Sequence, residues 1–268
     1  MIYFNENGRR IPSSGLRVFG EAPQSYYQIK KQDIDYSKIL SNAMCFGGVD
    51  SSVRLDDFEL ACNKLLQEIE SKPDFVNMLK GTHIPFICKK YESNYDLGDN
   101  LVGIQLPNFQ KAFNNNFPDY HFKAILQSNS KLPGNIKIDA RSRYEQFLEK
   151  NKKNILVGWY FPQALQEFDV ESQRQQMLEL PDLGNLCLSG GIDAFAALIG
   201  TPELLINEDF YAPILCLSAY VHVDPRLILL MKSYGPHMEF WCMTQMLTKT
   251  ITQVSEQWSG GLTFYSSL

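Results

Sequence analysis

The sequence predicts an α/β or α+β fold in which helices cover a mixed sheet, within a single compact domain over residues 1–268. Hydrophobic residues make up 44% of the chain and charged residues 21%, which provides enough apolar surface for a large core. Short apolar runs alternate with amphipathic segments, as in sheets that are covered by helices and contain some parallel pairing. A long apolar stripe near the C-terminus adds an amphipathic helix to this picture.

The period of the apolar residues predicts the individual elements. Apolar residues three and four positions apart mark one face of a helix, whereas alternation or a short apolar run marks a strand. Pro73 and Pro181 follow two of the helical segments, where proline ends a helix. The predicted helices cover residues 55–70, 105–116, 139–153, 169–180 and 192–199. The predicted strands cover residues 84–88, 120–126, 154–161, 185–188, 214–223 and 262–265.

The predicted C-terminal helix covers residues 236–258. Six apolar residues there step by three or four positions and would share one face of a helix. They are Phe240, Met243, Leu247, Ile251, Val254 and Trp258. The glycine pair at positions 260–261 would end this helix before the last strand.

Two segments show no regular period. Residues 8–24 are rich in Gly, Pro, Ser and Arg, which indicates a loop or an extended arm. Residues 128–135 contain Pro133 and Gly134 and are predicted to form a turn. This turn is the best candidate for a boundary between two subdomains, although a hairpin loop fits equally well.

Charge and hydropathy restrict the partners that we expect. The net charge of −5, from 25 Lys+Arg against 30 Asp+Glu, argues against nucleic acid as a partner, because nucleic-acid-binding domains usually carry a basic excess on one face. The longest uncharged apolar run, residues 210–223, contains Pro213 and is shorter than the ~20 residues that a membrane-spanning helix needs. No apolar leader follows Met1. We therefore expect no membrane partner.

The six cysteines predict a reducing compartment, and we expect a cytoplasmic protein with free thiols. They are dispersed, and no CxxC motif occurs. Cys45 could form a thiol–imidazole pair with His83 or His237, although no local feature activates its thiol. His222 and Asp224 would share one face of a strand, but no third ligand follows at a suitable spacing. We expect neither a metal nor a cofactor.

One local sequence pattern predicts a specific kind of binding site. Ser189, Gly190, Gly191 and Asp193 lie between an apolar strand and an apolar helix, so they are predicted to form a strand-to-helix turn. The free N–H groups of a first helical turn can bind an anion, which makes these four residues the candidate anion-binding site. Alternatively, the Asp193 carboxylate itself accepts those N–H groups and the turn is structural.

Residues 189–193 resemble the SGGxDS loop of the ATP pyrophosphatase family, with Ala194 at the position of the second serine. The resemblance implies a loop that holds the pyrophosphate of ATP in an adenylating enzyme. It covers five or six residues. A second partial copy lies at residues 47–52, where Phe46 replaces the leading serine.

A serine on such a turn is also the geometry of the nucleophile elbow in α/β-hydrolases. Asp209 or Asp224 and then His237 follow Ser189 in the order of that catalytic triad, but Cys187 occupies the first glycine position of G-x-S-x-G. Because neither enzyme motif is complete, we interpret the chain as an interaction protein that binds another protein or its own copy. An enzyme with an anion- or nucleotide-binding turn is the alternative.

Overall fold

The computed structural model describes residues 2–13, 27–92, 94–127, 130–207, 209–235, 237–244 and 257–268. Helices and strands alternate along this part of the chain. The helices are α1 (Tyr36–Cys45), α2 (Leu55–Glu70), α3 (Leu97–Asn100), α4 (Leu106–Asn116), α5 (Tyr144–Lys153), α6 (Val170–Glu179) and α7 (Gly191–Gly200). The strands are β1 (Ile84–Cys88), β2 (Phe122–Leu126), β3 (Ile136–Ile138), β4 (Leu156–Gln166), β5 (Leu186–Leu188), β6 (Ile214–Cys216), β7 (Tyr220–His222), β8 (Leu227–Tyr234), β9 (His237–Thr244) and β10 (Trp258–Ser267).

The strands form a mixed sheet, in agreement with the predicted mixture of helices and strands. The order of its strands is β1-β4-β10-β6-β8-β9-β2, and β5 also pairs with β10. β10 pairs in parallel with β6 and β2 pairs in parallel with β9, whereas the other pairs of this sheet are antiparallel. β3 and β7 form a separate antiparallel pair. Strands from both sides of residues 128–135 share the large sheet, and a subdomain boundary at this turn stays a prediction.

Helix α7 lies at the centre of the fold, and every one of its residues is buried. It packs against β1, α1 and α4. Its Phe195 ring lies 5.9 Å from the Phe109 ring of α4 and 6.4 Å from the Phe240 ring of β9. Because α7 is buried around its whole circumference, with Asp193 as its one charged residue, it serves as a core element.

The predicted C-terminal helix is wrong within the described residues. Residues 237–244 form strand β9, and residues 258–267 form strand β10. Met238, Phe240 and Cys242 point into the core and are fully buried, which is the alternation of a strand. The helical spacing that joined Phe240 to Met243 competed with this two-residue period. Leu247, Ile251 and Val254 lie outside the described residues.

The structure also differs from the prediction in where several helices and strands begin and end. The predicted strand over residues 214–223 is two strands, β6 and β7, because residues 217–219 turn between them. A π-helical turn, Leu101–Gln105, joins α3 to α4 into one helical segment that starts earlier than predicted. α1 and β8 were not predicted. α2 matches its prediction, and Asp169 caps α6 by accepting the Ser172 N–H at 2.7 Å.

Most of the predicted arm at residues 8–24 lies outside the described residues. In the part that is described, the backbone N–H of Arg10 donates to the Ala164 carbonyl of β4 at 2.8 Å.

The six cysteines are all free, and only Cys45 is exposed. Among the helices described, none combines the length and the apolar composition needed to cross a membrane.

Candidate functional site

The turn after β5 has the predicted strand-to-helix geometry. β5 ends at Leu188 and α7 begins at Gly191, so Ser189 and Gly190 connect them. Both positions need glycine because neither has room for a side chain. A Cβ on Gly190 would lie 2.6 Å from Cζ of Tyr144, and a Cβ on Gly191 would lie 2.8 Å from Cε2 of Tyr220. The glycine pair therefore allows two tyrosine rings to pack directly on the backbone.

Two N–H groups of this turn are engaged, so the expectation of free N–H groups is wrong for Gly190 and Ile192. The Gly190 N–H donates to Oδ1 of Asp193 at 2.9 Å, and the Ile192 N–H donates to the Tyr144 hydroxyl at 3.1 Å. Anion binding by this turn stays a prediction, and an anion that uses these two N–H groups would have to displace both side chains.

Asp193 is the centre of a fully buried hydrogen-bond network. Its Oδ1 accepts from the Tyr144 hydroxyl at 2.8 Å, and its Oδ2 accepts from Oγ1 of Thr263 at 2.5 Å. Because the Thr263 proton goes to Asp193, the Ser189 hydroxyl donates to Oγ1 of Thr263, at 2.8 Å. Burial raises the pKa of Asp193, while the hydrogen bonds that it accepts oppose this shift. These contacts support the structural alternative for the turn.

The structure does not bring the predicted catalytic triad together. Ser189 is 1% exposed, and within the described ranges no hydrogen bond joins it to Asp209, Asp224 or His237. Asp224 pairs with Arg226 at 2.7 Å, and this pairing lowers the pKa of Asp224 to about 2. The His237 ring stacks on His121, with 5.3 Å between ring centroids. The hydrolase alternative therefore gains no supporting contact.

The weaker candidates also have structural partners. His222 is buried, its Nε2–H donates to the Lys131 carbonyl at 3.1 Å, and its Nδ1 accepts from the Asp224 N–H at 2.9 Å. Both ring nitrogens are thus used. His83 contacts the rings of Trp159 and Phe161. No group of three or more His, Cys, Asp or Glu side chains suited to a metal occurs in the part of the chain that the structure covers.

The second copy of the SGGxDS pattern, at residues 47–52, does not follow a strand. It follows the C-terminus of α1, and the Val49 N–H donates to the Ala43 carbonyl at 3.1 Å. Asp50 accepts the Ser52 N–H at 2.8 Å, which is a local turn. The pattern lies between two helices, whereas the phosphate-binding loops that it resembles connect a strand to a helix N-terminus.

Helix α2 has an inner face that explains its position. Phe58, Cys62, Leu65 and Ile69 step by four, three and four positions and are all buried. The Cys62 carbonyl also accepts the indole N–H of Trp159 at 2.9 Å. This inner face fixes α2 against the core, and it determines which residues face outward.

We define the α2 outer face as Arg54, Asp57, Leu60, Ala61, Lys64 and Glu68. These residues line a groove of about 580 Å³ between α2 and the end of β10. Leu60 is 53% exposed. An exposed leucine alone is ordinary, but this one lies in a groove between charged residues of both signs.

The charges of the α2 outer face are only partly satisfied within the chain. Arg54 pairs with the exposed Asp56 at 3.2 Å, and Glu68 pairs with Lys72 at 3.1 Å. Asp57 and Lys64 have no ion-pair partner among the residues described. They are the charges closest to Leu60 along this face, and both are exposed.

This outer face was not predicted from the sequence, because the prediction of α2 followed the apolar residues alone. The signal was present: the positions 54, 57, 61, 64 and 68 step by three or four, so their side chains share one side of the helix. Their exposure, however, follows only from how α2 packs.

Comparison with known proteins adds no family to this description: no family model, no curated protein and no solved structure matches the chain.

Proposed function

We propose that the chain is an interaction protein that associates with a second copy of itself through the α2 outer face. One observation carries the proposal. Along this face the charges run Arg54, Asp57, Lys64, Glu68, that is, positive, negative, positive, negative around Leu60. Read from position 68 back to position 54, the same series is negative, positive, negative, positive. Each charge of one copy therefore meets the opposite charge when a second copy lies antiparallel to it. A two-fold axis through the middle of α2 therefore places opposite charges together.

The register of such a pair follows from arithmetic on the sequence numbers. With the axis between Leu60 and Ala61, Asp57 of one copy faces Lys64 of the other. Arg54 then faces position 67 and reaches the adjacent Glu68, about 1.5 Å further along the axis. The groove beside Leu60 has room for the Leu60 side chain of the second copy. Each contact occurs twice, as a two-fold interface requires.

The expected association is weak. Exposed ion pairs contribute about 0.2–1 kcal/mol each, and burying the exposed part of a leucine contributes up to about 2 kcal/mol. The four outer-face pairs compete with contacts inside each chain, such as Glu68 with Lys72. One helix pair also buries less than the roughly 1,200 Å² that stable interfaces reach. We therefore expect a transient dimer with a dissociation constant of about 10–1,000 μM.

Charge reversal tests the proposal by sedimentation velocity at low salt. Asp57→Lys and Lys64→Asp should each be monomeric, because like charges then face each other across the axis. An equimolar mixture of the two variants should associate again, because the lysine introduced in one copy meets the aspartate introduced in the other. Glu70→Lys is the matched control, since Glu70 is exposed on α2 but does not line the groove.

A wild-type chain that stays monomeric at millimolar concentration would overturn the proposal. So would a mixture that remains monomeric while the wild type dimerises, because the dimer would then use another surface. Leu60→Gln provides an independent check on the apolar centre: it should weaken association by about tenfold and leave the unfolding midpoint of the monomer unchanged.

A further inference from the structure

Strand β2 forms an open edge of the large sheet. It lies at one end of the strand order and pairs only with β9 among the strands described. β1 lies at the other end, and every one of its residues is buried. In β2, by contrast, Lys123, Ala124 and Leu126 are exposed. A further strand therefore has access to the sheet at β2.

The backbone hydrogen bonds show which groups of β2 face this edge. The Met238 N–H donates to the His121 carbonyl at 2.9 Å, and the Gln127 N–H donates to the Cys242 carbonyl at 3.4 Å. Because alternate residues of a parallel strand bond the same neighbour, the odd-numbered positions within 121–127 bond β9. The N–H and C=O groups that point away from β9 are those of Phe122, Ala124 and Leu126.

These outward groups are available to an added strand. None of them has a hydrogen-bond partner among the described residues. No proline and no left-handed residue interrupts β2, so its edge can pair with a regular strand. In antiparallel pairing, each outward residue would exchange two hydrogen bonds with the residue opposite.

The charges beside this edge favour an acidic strand. Lys123 has no ion-pair partner in the described ranges. Its neighbour on β9, Glu239, pairs instead with Lys232 of β8 at 3.3 Å. These three side chains lie on one face of the sheet, so one positive charge is left unbalanced. Lys123 bonds β9, and a residue opposite it on an added strand would lie close, with about 4.5 Å between Cα atoms.

The rest of the edge is apolar. Ile125 lies two residues from Lys123 on the same face, beside Trp241 of β9. On the other face, Leu126 is 40% exposed, and the neighbouring Ala124 is small. Apolar residues opposite Ile125 and Leu126 would cover these side chains.

We propose that the β2 edge binds an extended peptide segment of another protein, with an acidic residue opposite Lys123 and apolar residues opposite Ile125 and Leu126. The segment adds an antiparallel strand and pairs its backbone with the outward groups of β2. A second copy of β2 is disfavoured, because it would bring a second Lys123 to the same face of the joined sheet. The edge is separate from the α2 outer face and does not depend on self-association there.

Two synthetic peptides test the proposal. The glutamate peptide, acetyl-Ser-Val-Ile-Thr-Glu-Thr-Ser-amide, places its glutamate opposite Lys123, and the lysine peptide has lysine in place of that glutamate. Binding is followed by NMR through the backbone amide signals of Ala124 and Leu126 and their hydrogen exchange. The glutamate peptide should bind with a dissociation constant below about 1 mM and slow the exchange of both amides. The lysine peptide should bind about tenfold more weakly, because a like charge replaces an opposite one. The net charge of −5 by itself would favour the lysine peptide, so this order reports on the site.

Exchange of the charges identifies the residue that the glutamate contacts. Lys123→Glu should reverse the order and bind the lysine peptide more tightly. Lys137→Glu is the matched control, because Lys137 is exposed on β3, outside the large sheet, and should keep the original order. Asp57→Lys, which disrupts the proposed contact of the α2 outer face, should bind both peptides as the wild type does.

Ala124→Pro tests the backbone pairing. It removes one outward N–H and no hydrogen bond to β9, so it should weaken the glutamate peptide about tenfold with an unchanged unfolding midpoint. If this variant does not fold, the Lys123→Glu exchange still decides.

Equal affinity for the two peptides, or no binding of the glutamate peptide at about 1 mM, would overturn the proposal. Slow exchange of the Ala124 and Leu126 amides without peptide would do the same. At every protein concentration it would show that the edge is covered within one chain, and only at high concentration it would show that a second copy occupies the edge.

Discussion

Tyr144 joins the N-terminus of α7 to Asp193: its hydroxyl donates to the carboxylate at 2.8 Å and accepts the Ile192 N–H at 3.1 Å. The two polar groups that it satisfies are both buried. Tyr144→Phe removes the hydroxyl and leaves the Ile192 N–H without a partner. We expect the free energy of unfolding to fall by about 1–3 kcal/mol in urea denaturation. Tyr95→Phe, at an exposed tyrosine, is the control, and an equal effect of both variants would contradict the assignment.

The buried Asp193 predicts a specific pH dependence. Because burial raises its pKa in the folded state, the folded protein keeps a proton on Asp193 over a pH range in which the unfolded chain has released it. Folded Asp193 thus binds more protons, and its contribution to stability falls as the pH rises through that range. The amide introduced by Asp193→Asn does not titrate. The stability of the wild type minus that of this variant should therefore decline from about pH 4 upward, as measured by urea denaturation at several pH values. A difference that grows with pH would indicate a lowered pKa instead.

The packing of Tyr144 on the turn predicts that Gly190 tolerates no side chain. Gly190→Ala places a Cβ 2.6 Å from Cζ of the Tyr144 ring, so the ring or the turn must move. We expect a loss of about 1–3 kcal/mol in the free energy of unfolding. Gly103→Ala is the matched control, because a Cβ there meets no atom within 4 Å. The control should be neutral or slightly stabilising, and the explanation fails if both variants behave alike.

A substitution in β9 can distinguish this strand from the helix that the sequence predicted for the same residues. Met238 is fully buried in the strand, whereas the helical stripe through Phe240 and Met243 did not include it. Met238→Ala should lower the free energy of unfolding by about 2–5 kcal/mol. Thr244→Ala, at the exposed end of β9, should change it by less than about 0.5 kcal/mol. A negligible effect of Met238→Ala would favour the helix.

The sequence by itself determined those features that depend on neighbouring residues. The helical spacing of α2, the Asp169 cap of α6 and the strand-to-helix turn at Ser189 were each predicted from a few adjacent positions. The apolar period determines which residues become buried, and glycine marks the turn. The segment at residues 237–244 fitted a helical and a strand period equally well, so the sequence alone could not determine its structure.

Only the tertiary structure shows which side chains contact the turn, because these partners are distant in the chain. Tyr144 lies 49 positions from Asp193, and Thr263 lies 70 positions from it. Local sequence shows N–H groups at a helix start, but whether a protein side chain or a ligand occupies them depends on how the chain packs. Asn151 is similar: it lies on the buried face of α5, and its side-chain amide donates to the Lys89 carbonyl at 2.9 Å, a partner 62 positions away in the chain.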